Sequence, residues 1–320
     1  MLAKIMVISL ALLGSCVMGH PQIIRVCAVQ AQLQFYQSAD DFELHLDRLL
    51  QQAAVYQPDL VVLPEDIGTP LISLGDEDYL TVCNSLKEAI SFMVMRHITS
   101  LTPIMQKWEC SPQRALFLLK GDNMREIYVN TCSRLAKKYG ITLAAGSIIL
   151  PFEDATDSTV YNMMMLFGPD GVKLGQVEKV HPIIIEQEEG LDICAAPADR
   201  LQVFPTPAGR IGMLICADAW YPELAEILKT KGAQVIVNCL ANPEEWSDQV
   251  AFNMTDSLPE RVTEIALPGV QAFGVGNLFE LPFRGRSKIL MPLPHEGVKV
   301  VSQAESVDSE EIVFGEIEVK

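Results

Sequence analysis

The sequence predicts an α/β protein whose sheets are covered on both faces. Three observations carry this. Short apolar segments alternate with amphipathic segments at helical spacing from Ile23 onward. The strand-like segments read as continuous apolar runs rather than as strict alternations, the pattern of strands buried on both sides. Glycines and prolines are spread through the chain as short-loop punctuation, with no internal repeat and no low-complexity tract.

The elements follow in order. "IIRVCAVQAQ" (23–32) is the first strand. "SADDFELHLDRLLQQAAVYQ" is a helix, because Phe42, Leu46, Leu49, Leu50 and Ala53 recur on one face and Ser38 or Asp40 can cap it. "PDLVVLPE" is a strand with a turn after it. The long segment of about 72–123 has no strand signal. Within it Leu80, Cys83, Leu86, Ile90, Met93, Val94, His97, Ile98 and Leu101 fall on one helical stripe. The stripe reads as a face packed on the core, or as a cap over a pocket or a patch that meets lipid. His97 reads as a partly buried, hydrogen-bonded residue. "REIYVNTCSRLAKKYG" is a helix stopped by Gly140, and "ITLAAGSIILP" is a strand. "TVYNMMMLFGPDGVKLGQVEK" is a hairpin turning at Pro169-Asp170-Gly171. "IGMLIC" is a strand, "PELAEILKTKG" a helix ending at Gly232, and "AQVIVNCLAN" a strand. "VQAFGVGN", "RSKILMP" and "EIVFGEIEV" are the late strands.

Charge and cysteine content narrow the functional classes. A formal net charge of −17 argues against binding nucleic acid or anionic lipid through charge. The eight cysteines contain no CxxC pair, and no His stands at ligand spacing from one, so no zinc site is predicted. Cys27, Cys216 and Cys239 lie in or at the ends of apolar runs, where core packing is the default. The N-terminus has a lysine, an apolar run from Ile5 to Leu13, then small residues. That order is the pattern of a secretory leader, and "LLGSC" has the form of a lipobox ending at Cys16. Residues 1–20 are therefore expected to be a leader or N-terminal anchor, with the protein exported or attached to a membrane outside the cytoplasm. Residues 21–320 form the single remaining domain.

Three polar residues stand where apolar strands end: Glu65 after "DLVVLP", Lys179 after the hairpin, and Cys216 after "IGMLI". In α/β sheets such strand-end positions converge on a ligand crevice. Taken singly, each has a plain structural reading as a loop carboxylate, a surface lysine or a buried thiol. Together they make a mechanism. A thiol needs a base, which Glu65 can supply. A charged lysine and the backbone N–H of Ala217 can hold a developing oxyanion. A helix starting just after the turn favours the thiolate.

These three segments, in this order, resemble the carbon–nitrogen hydrolase family, also called the nitrilase superfamily, in its amidase-like branch. "LPED" matches the family's glutamate at Glu65. "EKVHPIIIE" is similar to its lysine motif, with Lys179 and a second glutamate at Glu186, although Pro182 departs from the pattern and Glu188 and Glu189 stand nearby as alternatives. "GRIGMLICADAWYPE" is similar to the nucleophile motif, with Cys216 as nucleophile. "GSIILP", "GVQAFGVGN" and "FRGRSKILMPLPHEG" extend the resemblance, which covers about residues 23–320 apart from the insertion of about 72–123. The Glu65-to-Lys179 spacing exceeds the usual family spacing, and the excess falls in that insertion.

The resemblance implies a four-layer αββα sandwich and a homodimer or larger homo-oligomer built by extending it. It implies thiol-dependent hydrolysis of a non-peptide carbon–nitrogen bond of a small molecule through a thioester, with no metal and no cofactor. Ala217, where many nitrilases proper carry Trp, favours an amide over a nitrile. Two alternatives stand beside this: an acyltransferase that passes the thioester acyl group to an amine, as in the apolipoprotein N-acyltransferase branch, and an inactive binding relative. Asp218 and Glu223 read as supports of the nucleophile turn. The insertion is expected to fold as helices near the pocket mouth, with Met93 and Ile98 close to Cys216.

Overall fold

The computed structural model describes residues 21–153, 157–293 and 297–320. The leader of residues 1–20, with Cys16, lies outside them. The chain begins with β1 (Gln22–Gln32), α1 (Ala39–Ala54) and β2 (Leu60–Val62). The insertion supplies a short α2 (Glu77–Leu80) and two long helices, α3 (Leu86–Trp108) and α4 (Pro112–Tyr139). The hairpin strands are β3 (Thr142–Pro151), β4 (Val160–Phe167) and β5 (Lys173–Glu178). The second half runs β6 (Val203–Thr206), β7 (Gly209–Ile215), α5 (Pro222–Thr230), β8 (Val235–Ala241), α6 (Asp248–Asn253) and α7 (Leu258–Ile265). It closes with β9 (Gly269–Leu278), β10 (Leu281–Phe283), β11 (Lys288–Leu293), β12 (Gly297–Gln303) and β13 (Glu311–Val319).

The main strand order is β5-β4-β3-β2-β1-β9-β8-β7-β6, with β13 antiparallel to β1. β1 carries the sheet from one half to the other. Its middle, Val26 to Ala28, pairs in parallel with β2, and its end, Ala31 and Gln32, pairs with Gly274 and Val275 of β9. The two halves then lie face to face, so the sandwich is one strand path folded on itself rather than two separate sheets. Alternation along β1 shows the layers. Ile24, Val26 and Ala28 enter the core shared with β7 and β8, while Cys27 and Val29 face α1 and α4. On the opposite side α5 and α7 cover the second half through Leu224, Leu228, Leu258 and Val262. The result is the expected αββα layering.

The helices are stopped and started by recognisable chemistry. Ser38 Oγ accepts the Asp41 N–H and caps α1, whose Phe42, Leu46, Leu49, Leu50 and Ala53 are all buried. Gly140 ends α4 at φ +63, where its missing Cβ removes the left-handed penalty. One boundary differs from the sequence reading. The helix expected to begin at Arg125 begins at Pro112, so the insertion of about 72–123 ends inside α4. Gly121 is a contact glycine, since a Cβ there would lie 2.3 Å from the Pro151 ring.

The insertion is pinned together by one buried carboxylate, whose partners all lie within it. Asp76 accepts from Lys120, from Arg96 Nε at 2.8 Å and from His97 Nε2 at 2.9 Å. Lys120 Nζ also donates to the carbonyls of Ile72 at 2.8 Å and Leu74 at 3.1 Å. Burial raises the Asp76 pKa, but Lys120 and His97 outweigh it and hold the carboxyl below its usual range. His97 is thus the hydrogen-bonded residue expected. The predicted apolar stripe is only half covered: Met93 and Leu101 are buried, whereas Ile98 is 43% exposed.

Candidate active site

Glu65 follows β2 at a turn shaped by β3. Leu63 N donates to Ala144 O at 2.9 Å, Ser147 N donates to Pro64 O at 3.2 Å, and Asp66 N donates to Ser147 Oγ at 3.0 Å. Gly146 makes this approach possible. Its φ is +72, and a Cβ there would fall 2.1 Å from Pro64 O. The turn aims Glu65 inward, where it is 2% exposed. A glutamate after a strand is ordinarily solvated, so burial this deep needs partners.

It has three. Lys179 Nζ donates to Glu65 Oε1 at 2.7 Å, Asn162 Nδ2 donates to the same oxygen at 3.0 Å, and Ala241 N donates to Oε2 at 2.8 Å. Lys179 leaves the end of β5 with its own N–H on Asn162 O at 2.9 Å, and its side chain is fully buried. Its second partner is Glu186 Oε2, at 2.6 Å. Glu186 sits on a 3-10 turn (Ile184–Glu186), where it also accepts Ile183 N at 2.8 Å and Asn162 Nδ2 at 2.9 Å. Glu188 and Glu189 are exposed, so the geometry selects Glu186 among the three candidates. Asn162 escaped the sequence reading. The available signal was a single amide inside the apolar run "VYNMMMLF", and both its N–H groups go to the two carboxylates.

Cys216 follows β7 at φ +45, a left-handed conformation that a residue with a Cβ rarely adopts. It opens a 3-10 turn (Cys216–Trp220), and α5 starts only at Pro222. The helix expected directly after the cysteine is therefore preceded by this tighter turn. Asp218 secures it. Its carboxylate accepts Val180 N at 3.1 Å and His181 N at 2.8 Å, tying the Cys216 turn to the segment after Lys179. His181 stacks on Tyr221 with ring centroids 3.4 Å apart. Asn238 of β8, a second missed amide, donates to Leu214 O at 3.2 Å and Cys216 O at 3.4 Å. Asp218 matches its expected role at the turn, and Glu223 is exposed in the first turn of α5.

The electrostatics follow from burial. Loss of water pushes the Glu65 carboxyl up to about 8. Lys179 opposes this, while Asp66 and Glu186 add to it. Burial likewise lifts Asp66 to about 6. For Lys179, burial alone would favour the neutral amine, but the facing Glu65, Cys216 and Glu186 hold it charged far above neutral pH. Burial first, and then Glu65 by charge and hydrogen bonding, push the Cys216 thiol well up. Burial and the neighbouring charges thus raise the Glu65 carboxyl and the Cys216 thiol and keep Lys179 charged. Chemically the site offers a thiol, a proton carrier with a pKa near 8, and a fixed positive charge.

Two cavities meet here. One of about 120 Å³ is bordered by Glu65, Lys179 and Glu186, and also by Met93 of the insertion. The other, wider and more open, is bordered by Cys216 and Ala217. Ile183, Ile185, Ala241 and Pro243 border both. Met93 therefore borders the cavity of Glu65 and Lys179, not the one of Cys216, whereas Ile98 faces solvent. Among the described residues no group of three or more His, Cys, Asp or Glu side chains is placed to hold a metal ion. The seven described cysteines are free thiols. No helix among the described residues is long and apolar enough to cross a membrane.

A family model described as carbon-nitrogen hydrolase matches residues 25–317. Among curated proteins, a probable hydrolase, YhcX, of Bacillus subtilis is 26% identical over 67% of this chain and 33% of its own length. The human omega-amidase NIT2 is 35% identical over 56% of this chain and 65% of its own length. The matches thus span less than two thirds of these relatives. Among solved structures, a carbon–nitrogen hydrolase from Helicobacter pylori shares the fold with a TM-score of 0.64 at 21% identity, over 92% of this chain and 89% of that one.

Proposed function

The chain belongs to the carbon–nitrogen hydrolase family, and from that premise we propose that it hydrolyses the carbon–nitrogen bond of an amide through a thioester on Cys216. The observation that carries the reading is the buried cluster of Glu65, Lys179 and Glu186 set beside a cysteine held at positive φ. Ionised Glu65 takes the thiol proton while Sγ bonds to the carbonyl carbon, and the carbonyl electrons move onto oxygen. Lys179 and the Ala217 N–H hold that oxyanion. On collapse the carbon–nitrogen bond breaks, the nitrogen takes the proton from Glu65, and ammonia or an amine leaves. Water then gives its proton to Glu65 as its oxygen attacks the thioester. The carbon–sulfur bond breaks, and the thiolate recovers the proton. Glu186 and Asn162 position Lys179 and Glu65 without touching the reacting atoms.

The omega-amidase relatives support an amide substrate, as does Ala217 beside the nucleophile. The test is ammonia release from a panel of amides and nitriles by the intact chain and by Cys216→Ala. Turnover of amides that vanishes in the variant supports the reading. Ammonia released only from nitriles, or an acyl group found on an added amine instead of a free acid, overturns it. The leader reading belongs here too: residues 1–20 direct export, with Cys16 as lipid attachment point. Intact mass of the protein from its native host tests this, and an unprocessed, unmodified N-terminus contradicts it.

A further inference from the structure

The cavity that borders Glu65, Lys179 and Glu186 has mostly apolar walls, with Thr69 and Gln113 as its uncharged polar lining residues. Ala89 and Met93 of α3, Phe117 of α4 and Phe279 after β9 line it, and about half of the lining comes from the insertion and the segment from the end of β9 to β10. Lys179 is the single cation among its described lining residues, and both its neighbouring carboxylates already occupy it. The other charged groups at the wall, Glu65, Asp66 and Glu186, are all carboxyls. A carboxylate brought in by a ligand would lose its water, find no free cation and face three acids.

Resting on the amidase reading, we propose that this cavity holds the acyl part of the substrate and that this part is uncharged, apolar and about the size of a hexanoyl or phenylacetyl group. Size comes from the volume: at about 120 Å³ it is close to the roughly 150 Å³ apolar cavities that take up benzene. Direction comes from the walls shared by the two cavities. The reacting carbon must lie within reach of Cys216 Sγ and Lys179 Nζ, at the boundary formed by Ile183, Ile185, Ala241 and Pro243. The smaller, apolar side then takes the acyl chain. The wider side, bordered by Cys216, leaves room for the departing amine and the entering water.

The experiment compares kcat/KM of the intact chain for acetamide, butyramide, hexanamide and succinamate, the last being butyramide with a carboxylate in place of its methyl. Each buried methylene is worth roughly fourfold, so hexanamide should exceed acetamide by roughly 10²-fold. Succinamate should fall at least tenfold below butyramide. Ala89→Phe, or Met93→Trp if the first does not fold, should cut the hexanamide-to-acetamide ratio at least tenfold. Equal rates for acetamide and hexanamide, succinamate matching butyramide, or an unchanged ratio in a folded cavity variant each overturn the proposal. If no amide is turned over, the amidase reading fails, and the cavity is judged separately by calorimetry on Cys216→Ala. Hexanamide binding at least tenfold tighter than succinamate upholds it there, and equal or reversed binding overturns it.

Discussion

Replacing Glu186 by Gln changes one charge in a cluster that shares its protons. Glu186 and Glu65 each accept from Asn162 Nδ2, at 2.9 and 3.0 Å, which places the two carboxylates about 6 Å apart at most. At an effective dielectric of about 20, their repulsion at that separation is about 3 kcal/mol, or about two pKa units. Glu65 is held up at about 8 by burial first, with Glu186 among the charges that add to it. Removing the Glu186 charge lowers the Glu65 pKa, so its base form persists to more acid pH. The acid limb of kcat/KM, which reports groups of the free enzyme, should stand near pH 8 in the parent and move down by about two units in Glu186→Gln. The plateau should fall as well. A glutamine must turn its N–H₂ toward either Lys179 Nζ or Asn162 Nδ2, both donors, and one of them loses its acceptor. The assay is ammonia release from pH 5 to 9.5 at substrate well below KM. A limb that stays near 8, or moves up, refutes the argument that Glu186 sets the protonation of Glu65.

Gly146→Ala should cost about 2–4 kcal/mol, from a left-handed backbone plus a contact with Pro64 O, and should lower kcat because the same carbonyl shapes the Glu65 turn. Urea unfolding measures it, and a change under 1 kcal/mol contradicts it. Asp218→Asn removes charge from an acceptor of two lysine-segment N–H groups and should cut kcat roughly tenfold with little change in KM. A pure KM effect speaks against its positioning role. Asp76→Ala takes the carboxylate from the half-buried Lys120, which keeps only its two carbonyl acceptors, and should destabilise by about 1–3 kcal/mol. Faster proteolytic cutting within residues 86–123 should accompany it, and a protected insertion contradicts the pinning role.

The sequence made the outline of the site legible because its chemistry is written at strand ends. Glu65, Lys179 and Cys216 each interrupt an apolar run, and Glu186 follows Lys179 at a spacing that one 3-10 turn closes. Asn162 and Asn238 were not legible. Each is one amide within an apolar strand, and only the folded sheet shows that the first faces two carboxylates and the second the Cys216 carbonyl. The left-handed φ of Cys216 is equally silent in sequence, since no glycine marks it. The helical layers were readable from Phe42, Leu46 and Leu49 at core spacing. The start of α4 at Pro112 was not legible, and neither was the role of Gly121, whose lack of a side chain answers the Pro151 ring across the layer. The stripe predicted helix correctly from Leu86 to Leu101, but α2 ends at Leu80 and Cys83 lies in the turn before α3, and spacing alone did not say that Ile98 stays in solvent while Met93 borders the cavity of Glu65 and Glu186.

The account stands on Cys216 carrying the acyl group. The intact chain is mixed with an amide that it turns over, quenched in acid within the first turnovers, digested, and the peptide containing Cys216 is weighed. The account predicts that this peptide gains one acyl group in place of the thiol hydrogen and returns to its starting mass as substrate is exhausted. Continued turnover with that peptide unmodified, or turnover that survives Cys216→Ala, contradicts it.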